Sequence, residues 1–196
     1  MRKILKGGIL IAVLFIPLQI FAFEAVVYNE NVLSQKVSEE LNLIGQELYD
    51  KTGIHLFVAA GASTPLEELL KKQDELPKPN VLLVLSQNSH KVDIVGSQEA
   101  LTFFDKEAVL SPYPGTGTIL PILTSHKGQD VFNAAILNGY ADIADRLAKY
   151  FGLKLEHSIG NANRDTINIL RILFYGFICF ALLYYVQRKM KRARHV

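Results

Sequence analysis

The sequence predicts an α/β protein: a small three-layer sandwich with a mixed sheet covered by helices, plus a C-terminal transmembrane helix. Three observations carry this. Two short runs, Ile54–Ala60 and Val81–Leu85, are almost wholly apolar and rich in branched and aromatic residues, the pattern of strands buried on both faces. A segment with helix-start signals lies between them. A third apolar run, Ile167–Val186, is close to the length that spans a bilayer and is followed by a tail dense in arginine and lysine.

Residues 24–33 read as a mixed lead-in. Ser34 is placed to cap a helix with apolar positions Val37, Leu41, Ile44 and Leu48, one core-facing stripe. Gly53, after Lys51-Thr52, suits the left-handed residue that ends it. The first buried strand follows, and His55 within it reads as a satisfied structural histidine. In Thr64-Pro65-Leu66-Glu67, threonine is the expected cap, proline the first helical residue and glutamate the partner that closes a capping box. This helix is expected to run to about Leu76 and stop at Pro77 and Pro79. A right-handed crossover then leads to the strand at Val81–Leu85, parallel to the first. Gln87 to Lys91 is a polar turn, and Val92–Val95 returns as the second arm of an antiparallel hairpin.

Asp105 is placed to cap a short helix ending before Pro112. Pro112, Pro114, Gly115 and Gly117 make Ser111–Thr118 a loop. Ile119–Leu123, broken by Pro121, reads as a short edge strand or turn. Helical periodicity resumes from Gln129 to Phe151, with Phe132, Ala135, Ile136, Ile143, Leu147 and Phe151 available to the core. The pair Ala134-Ala135 would permit close approach, and Gly152 ends the helix. The organisation is then a signal segment at 1–22, an exported domain at 24–152, a tether at 153–166, a transmembrane helix at 167–186 and a basic cytoplasmic tail at 187–196.

Charge supports this division. All 19 acidic residues lie between Glu24 and Asp165, alongside 12 of the 21 Lys and Arg, so this segment carries 12 − 19 = −7 while the ends are basic. Arg2, Lys3 and Lys6 precede a short apolar core, and Ala22 offers a small residue before a cut. The only cysteine, Cys179, sits in the second apolar run, which excludes a disulfide framework or thiolate catalyst from the exported part. The basic tail lacks interleaved aromatics. The inside bias and anionic lipid account for it, and no nucleic acid is expected as partner. The expected location is a bacterial inner membrane, with a single C-terminal anchor and the main domain in the periplasm.

Candidate chemistry is sparse. His90 sits at the hairpin turn with Gln87 and Asn88, on an edge where ligands of such sheets bind. Asp93, Glu99, Asp105 and His90 are the side chains that could hold a divalent metal, provided the fold brings them together. Gly115-Thr116-Gly117-Thr118 offers backbone donors, but it lacks the lysine and the strand–helix context of a phosphate loop. With Tyr113 it reads as a surface loop open to a partner.

The chain resembles the TPM domain family from Leu33 to about Phe151. The resemblance rests on the Leu33-Ser34 helix start, the Lys51-Thr52-Gly53-Ile54 junction and the Asn80–Leu85 strand feeding a hairpin. It continues through Leu101–Asp105, Pro121 and the helix start in Lys127–Tyr140. It implies an exported α/β domain, often with a C-terminal membrane helix, and some plant members are acid phosphatases that use divalent metal. The family hairpin carries an acidic pair and an arginine, then a glycine-rich turn. Here the corresponding residues are Gln87-Asn88-Ser89-His90-Lys91 and Gly96-Ser97-Gln98-Glu99, so only Gly96 is kept. The expected function is therefore a membrane-tethered extracytoplasmic interaction or assembly-support domain without catalysis or cofactor. Its expected partners are membrane or envelope proteins, with anionic lipid at the tail. The alternative is a metal-dependent phosphate-ester hydrolase with a rearranged site.

Overall fold

A computed structural model describes residues 23–113, 115–125, 130–158 and 162–193, and in the last stretch the side chains of 172–185, 187 and 188. The expected signal segment at 1–22 lies outside the described residues. The elements are β1 (Val26–Asn29), α1 (Gln35–Thr52), β2 (His55–Gly61), α2 (Leu66–Leu70) with a 3-10 turn at Lys71–Glu75, β3 (Asn80–Ser86) and β4 (Lys91–Gly96). There follow α3 (Gln98–Leu101), α4 (Lys106–Val109), α5 (Leu120–Leu123), α6 (Val131–Tyr150) and α7 (Ala162–Ala193).

The sheet is mixed, in the order β1-β2-β3-β4. Strands β1, β2 and β3 are parallel, and β4 returns antiparallel to β3, with Val81 opposite Gly96 and Ser86 opposite Lys91. Side-chain alternation sorts the two central strands between two cores. Leu56, Val58, Ala60, Val81, Leu83 and Leu85 face α1 and α6. Phe57, Ala59, Leu82 and Val84 face Leu66 and Leu69 of α2. Both faces are therefore covered, as the uninterrupted apolar runs require. The expected parallel pairing of β2 with β3 and the antiparallel hairpin are both present.

Strands β1 to β3 advance in one direction across the sheet, while α1 and α2 lie on opposite faces. The two crossovers must then turn with opposite hands. The usual right-handed sense holds for the α2 crossover only if the α1 crossover is left-handed.

Several local expectations are corrected. The lead-in at 24–33 contains β1, a strand of four residues that is only half-covered at its edge. Thr64 does not cap α2. Its hydroxyl donates to Glu30 at 2.6 Å, and the extended residue before the helix is Pro65. The helix is one short stretch that tightens into a 3-10 turn, ending at Glu75. Within Ile119–Leu123 the residues Leu120–Leu123 form the helix α5, and Pro121 falls in its first turn, where a missing N–H costs nothing. In α6, Ala134 is exposed and only Ala135 packs inward. The caps by Ser34 and Asp105 form, as do the left-handed endings at Gly53 and Gly152.

Helices α1 and α6 run side by side in the same direction. At their starts, Ser34 N–H donates to Asn133 Oδ1 at 2.9 Å; at their ends, Lys51 Nζ reaches the carbonyl of Lys154 at 2.9 Å. The segment expected as a free tether thus begins as packed structure, with Leu155 buried. Beyond it, α7 starts earlier and ends later than expected. Its described side chains from Ile172 to Tyr185 are exposed. Among the described residues no helix is long and apolar enough to cross a membrane. Ile172–Tyr185 spans only about 20 Å at ~1.5 Å per residue, less than a bilayer core.

Tyr140 is fully buried between α1 and β2. Strand β1 begins its pairing opposite Val58, so the Leu56 carbonyl has no strand partner there; the Tyr140 hydroxyl donates to it at 2.7 Å. Burial raises the Tyr140 pKa well above its ordinary value, keeping the hydroxyl a donor. Space for it comes from Gly45, where a Cβ would collide with that hydroxyl and with the Phe23 ring. Tyr140→Phe should cost about 1–3 kcal/mol by orphaning the carbonyl. Gly45→Ala should also destabilise, and the double variant should lose less than the sum of the two, because removing the hydroxyl frees part of the space. Urea denaturation of the four proteins measures this coupling.

Candidate functional site

The loops after β1, β2 and β3 meet at the carboxyl edge of the parallel strands, where such sheets bind ligands. The chain itself fills the donors there. Glu30, just after β1, accepts hydrogen bonds at its carboxylate from Ser63 N–H at 2.7 Å, Thr64 N–H at 3.2 Å, the Ser63 and Thr64 hydroxyls at 3.2 and 2.6 Å, and the Tyr28 hydroxyl at 2.7 Å. The Thr64 hydroxyl, the Ser63 N–H and the Tyr28 hydroxyl are the leading causes of a Glu30 pKa far below the carboxylate range. The β2–α2 loop, where a phosphate could find backbone donors, thus already holds an internal anion.

The hairpin turn is pinned to the same loop. Gln87 N–H donates to the Gly61 carbonyl at 2.9 Å and Asn88 N–H to that of Ala62 at 3.2 Å, while Ser86 Oγ donates to the Thr64 carbonyl at 2.8 Å. His90 has a left-handed backbone (φ 50°) and an exposed side chain. Asn88 is exposed as well, so this turn is a firmly held polar tip. The loop after β1 is fixed by two asparagines. Asn29 Oδ1 accepts from Val32 N–H and Leu33 N–H, and Asn133 Nδ2 donates to the Val32 carbonyl across about a hundred residues of sequence.

The metal candidates do not converge. Asp93 pairs with Lys106 at 2.8 Å, Asp105 caps α4 by accepting from Ala108 N–H at 3.0 Å, and Glu99 and His90 point to solvent. Among the described residues no three His, Cys, Asp or Glu side chains are grouped to hold a metal. In the 111–118 loop, Thr116 N–H and Gly117 N–H both donate to the Tyr113 carbonyl and Thr118 N–H donates to that of Val109, so the backbone donors of Thr116, Gly117 and Thr118 are engaged internally. Tyr113 is exposed on that loop.

Two polar features, Asp142 and Glu47, escaped the sequence reading, and a third, His55, is corrected. Asp142, buried in α6, accepts from the Thr118 hydroxyl at 3.2 Å and lies 3.1 Å from Arg146 Nε, an ion pair without an aligned hydrogen bond. The signal was an acid between Ala141 and Ile143 on a core-facing stripe, with arginine four residues on. His55 is not satisfied: its Nδ1 is buried without a partner among the described residues, and its ring stacks on Tyr49 at 4.3 Å and Phe57 at 5.5 Å. Burial lowers its pKa, which favours the neutral ring that stacks there. Glu47 accepts from Lys51 Nζ at 2.7 Å, from the N–H groups of Glu156 and His157 at 2.6 and 2.8 Å, and lies 3.0 Å from His157 Nδ1. Burial alone would raise its pKa, but these partners hold it at about 2. Glu47 thereby fastens the segment leading to α7 onto α1.

No family model and no curated protein sequence matches the chain. Among solved structures it is similar to the N-terminal domain of a protein from P. gingivalis, determined by solution NMR. The TM-score is 0.54 at 16% sequence identity, over 69% of this chain and 89% of that one. Likeness at this identity shows a shared fold.

Two predictions follow from the carboxylates. The Ser63 and Thr64 amide resonances should not shift on titration with inorganic phosphate, and Glu30→Ala should speed their hydrogen exchange by roughly tenfold, the equivalent of one lost hydrogen bond. Because the folded pKa of Glu47 is depressed, its contribution is full above the unfolded value of about 4.5 and is lost as pH falls through about 2. Glu47→Gln should cost about 2 kcal/mol at neutral pH. The gap between mutant and native stabilities in urea should narrow as pH falls through that window.

Proposed function

We propose that the chain is a membrane-anchored, extracytoplasmic member of the TPM domain family that acts without catalysis. Its domain would present the carboxyl-edge hairpin and the Tyr113 loop to membrane or envelope proteins as an interaction or assembly-support module. One observation carries this reading. Phe23, with its N–H on Gln46, and the Glu47-held segment at 156–157 both lie at the amino edge of the parallel strands, while the hairpin at Gln87, Asn88 and His90 lies at the opposite edge. A domain tethered at its amino edge therefore turns this hairpin away from the tether.

The anchor in this reading is α7. Its described side chains from Ile172 to Tyr185 are uncharged and mostly large and apolar, and they lie exposed on a helix of 32 residues. In sequence the apolar run starts at Ile167 and ends at Val186, beyond those described side chains, which gives it a spanning length. The basic tail would stay in the cytoplasm and the acidic body in the periplasm of a bacterial cell. The small sheet-and-helix fold shared with the P. gingivalis domain supports the family assignment without establishing it.

Photo-crosslinkers placed at Asn88 and Tyr113 in intact membranes should recover the same envelope proteins in repeated experiments, and one at exposed Lys36 should not. Absence of any reproducible adduct would sink the interaction reading. Protease added to spheroplasts should digest an epitope in the 87–90 turn and spare one placed after Val196; the reverse pattern would reject the orientation.

A further inference from the structure

Phe103, Tyr150 and Phe151 form an aromatic cluster at the end of α6, with ring centroids 4.6, 5.3 and 5.2 Å apart. Buried clusters of this kind stabilise cores, but Tyr150 is 60% exposed, Phe151 43% and the neighbouring Leu153 40%. Together these side chains make a small exposed apolar patch at the end of α6. Lys149 and Lys154 flank them, both exposed and without an ion pair among the described residues. From Arg146 to Leu155 there are three basic residues and no acid, in an exported segment whose balance is 12 − 19 = −7. Glu156 is the nearest acid that follows, and Glu47 holds the backbone at that point.

The length of chain beyond the cluster limits what can lie against it. Glu47 fixes residues 156 and 157, and α7 begins at Ala162, so Ser158 and Ala162 can be no more than about 14 Å apart at ~3.6 Å per residue. The apolar run begins at Ile167, about 7 Å further along the helix. With α7 in a bilayer, the amino edge cannot stand far from the headgroup layer. A tyrosine with its polar tip, beside phenylalanine, leucine and lysines, is the composition that settles at such an interface.

We infer that Tyr150, Phe151 and Leu153, backed by Phe103 and flanked by Lys149 and Lys154, rest on the lipid surface and set the domain's orientation on the membrane. This rests on the reading of α7 as the membrane anchor. The domain is then seated with its hairpin turned outward, where a free tether would let it tumble.

The chain contains no tryptophan, so single reporters can be read without background. The full-length protein would be reconstituted in vesicles of phosphatidylethanolamine and phosphatidylglycerol, 3:1, doped in separate preparations with lipid brominated near the headgroup end of its acyl chains, to read Tyr150→Trp and Asn88→Trp, and near the methyl end, to read Phe177→Trp. Tyr150→Trp, Asn88→Trp and Phe177→Trp would be compared. The expected result is strong quenching of Phe177→Trp and quenching of Tyr150→Trp at least threefold above that of Asn88→Trp. If Phe177→Trp is quenched while Tyr150→Trp matches Asn88→Trp, the seating is wrong and the anchor stands. A blue-shifted but unquenched Tyr150→Trp points to a second copy or another protein over the cluster, and likewise overturns the inference. An unquenched Phe177→Trp removes the anchor reading and the seating with it.

Discussion

The structure depends on two adjacent strands that are apolar on both faces. Every residue of β3 and all but the first of β2 are buried, so neither face can be left to water. Each buried Val or Leu contributes about 1.5–3 kcal/mol only if another element completes the burial. Helices α1 and α6 cover one face and the short α2 the other, an unequal division that follows from available length. A crossover of 18 residues between Gly61 and Asn80 leaves room for little more than two turns of helix beside its proline-rich exit. The opposite hands of the two crossovers follow from α1 and α2 taking opposite faces while the strands advance one way.

Polar residues act at the boundaries of this apolar frame. Glu30 joins the ends of β1 and β2, Asn133 joins the starts of α1 and α6, and Glu47 joins their ends. Each is a long-range contact, and for the largely buried side chains of Asn133 and Glu47 it supplies hydrogen bonds that water cannot reach to replace. Their placement decides what the edges can do. At the carboxyl edge, Glu30 occupies backbone donors that a bound anion would need, and the hairpin is held rigid.

At the amino edge the surface has a different composition. The aromatic stack of Phe23, Tyr49, His55 and Phe57 closes it beside β1, and the more exposed Phe103, Tyr150 and Phe151 lie at the end of α6. Residue 23 and residues 156–157 also sit here. The start of the described domain, the segment that leads to α7, aromatic rings and lysines on one edge, with polar turns on the other, give the domain a polarity along the strand direction that neither composition nor net charge reveals.

By itself the sequence determined what short-range patterning can specify: the α/β class, the two central strands, the hairpin, the caps at Ser34 and Asp105, and the stops at Gly53 and Gly152. These follow from periodicity and backbone preference within a few residues. Strand β1 was hidden because four half-covered residues carry almost no periodic signal. The Thr64 cap failed because a carboxylate thirty-four residues away competes for the same hydroxyl. The metal candidates looked plausible in series, yet Lys106 and a helix start claim Asp93 and Asp105. Only the tertiary structure could decide these, and with them the roles of Tyr140, Asp142 and Glu47. The partners of a buried polar group come from distant parts of the chain, and its local sequence does not say which partner is nearest once the core has closed.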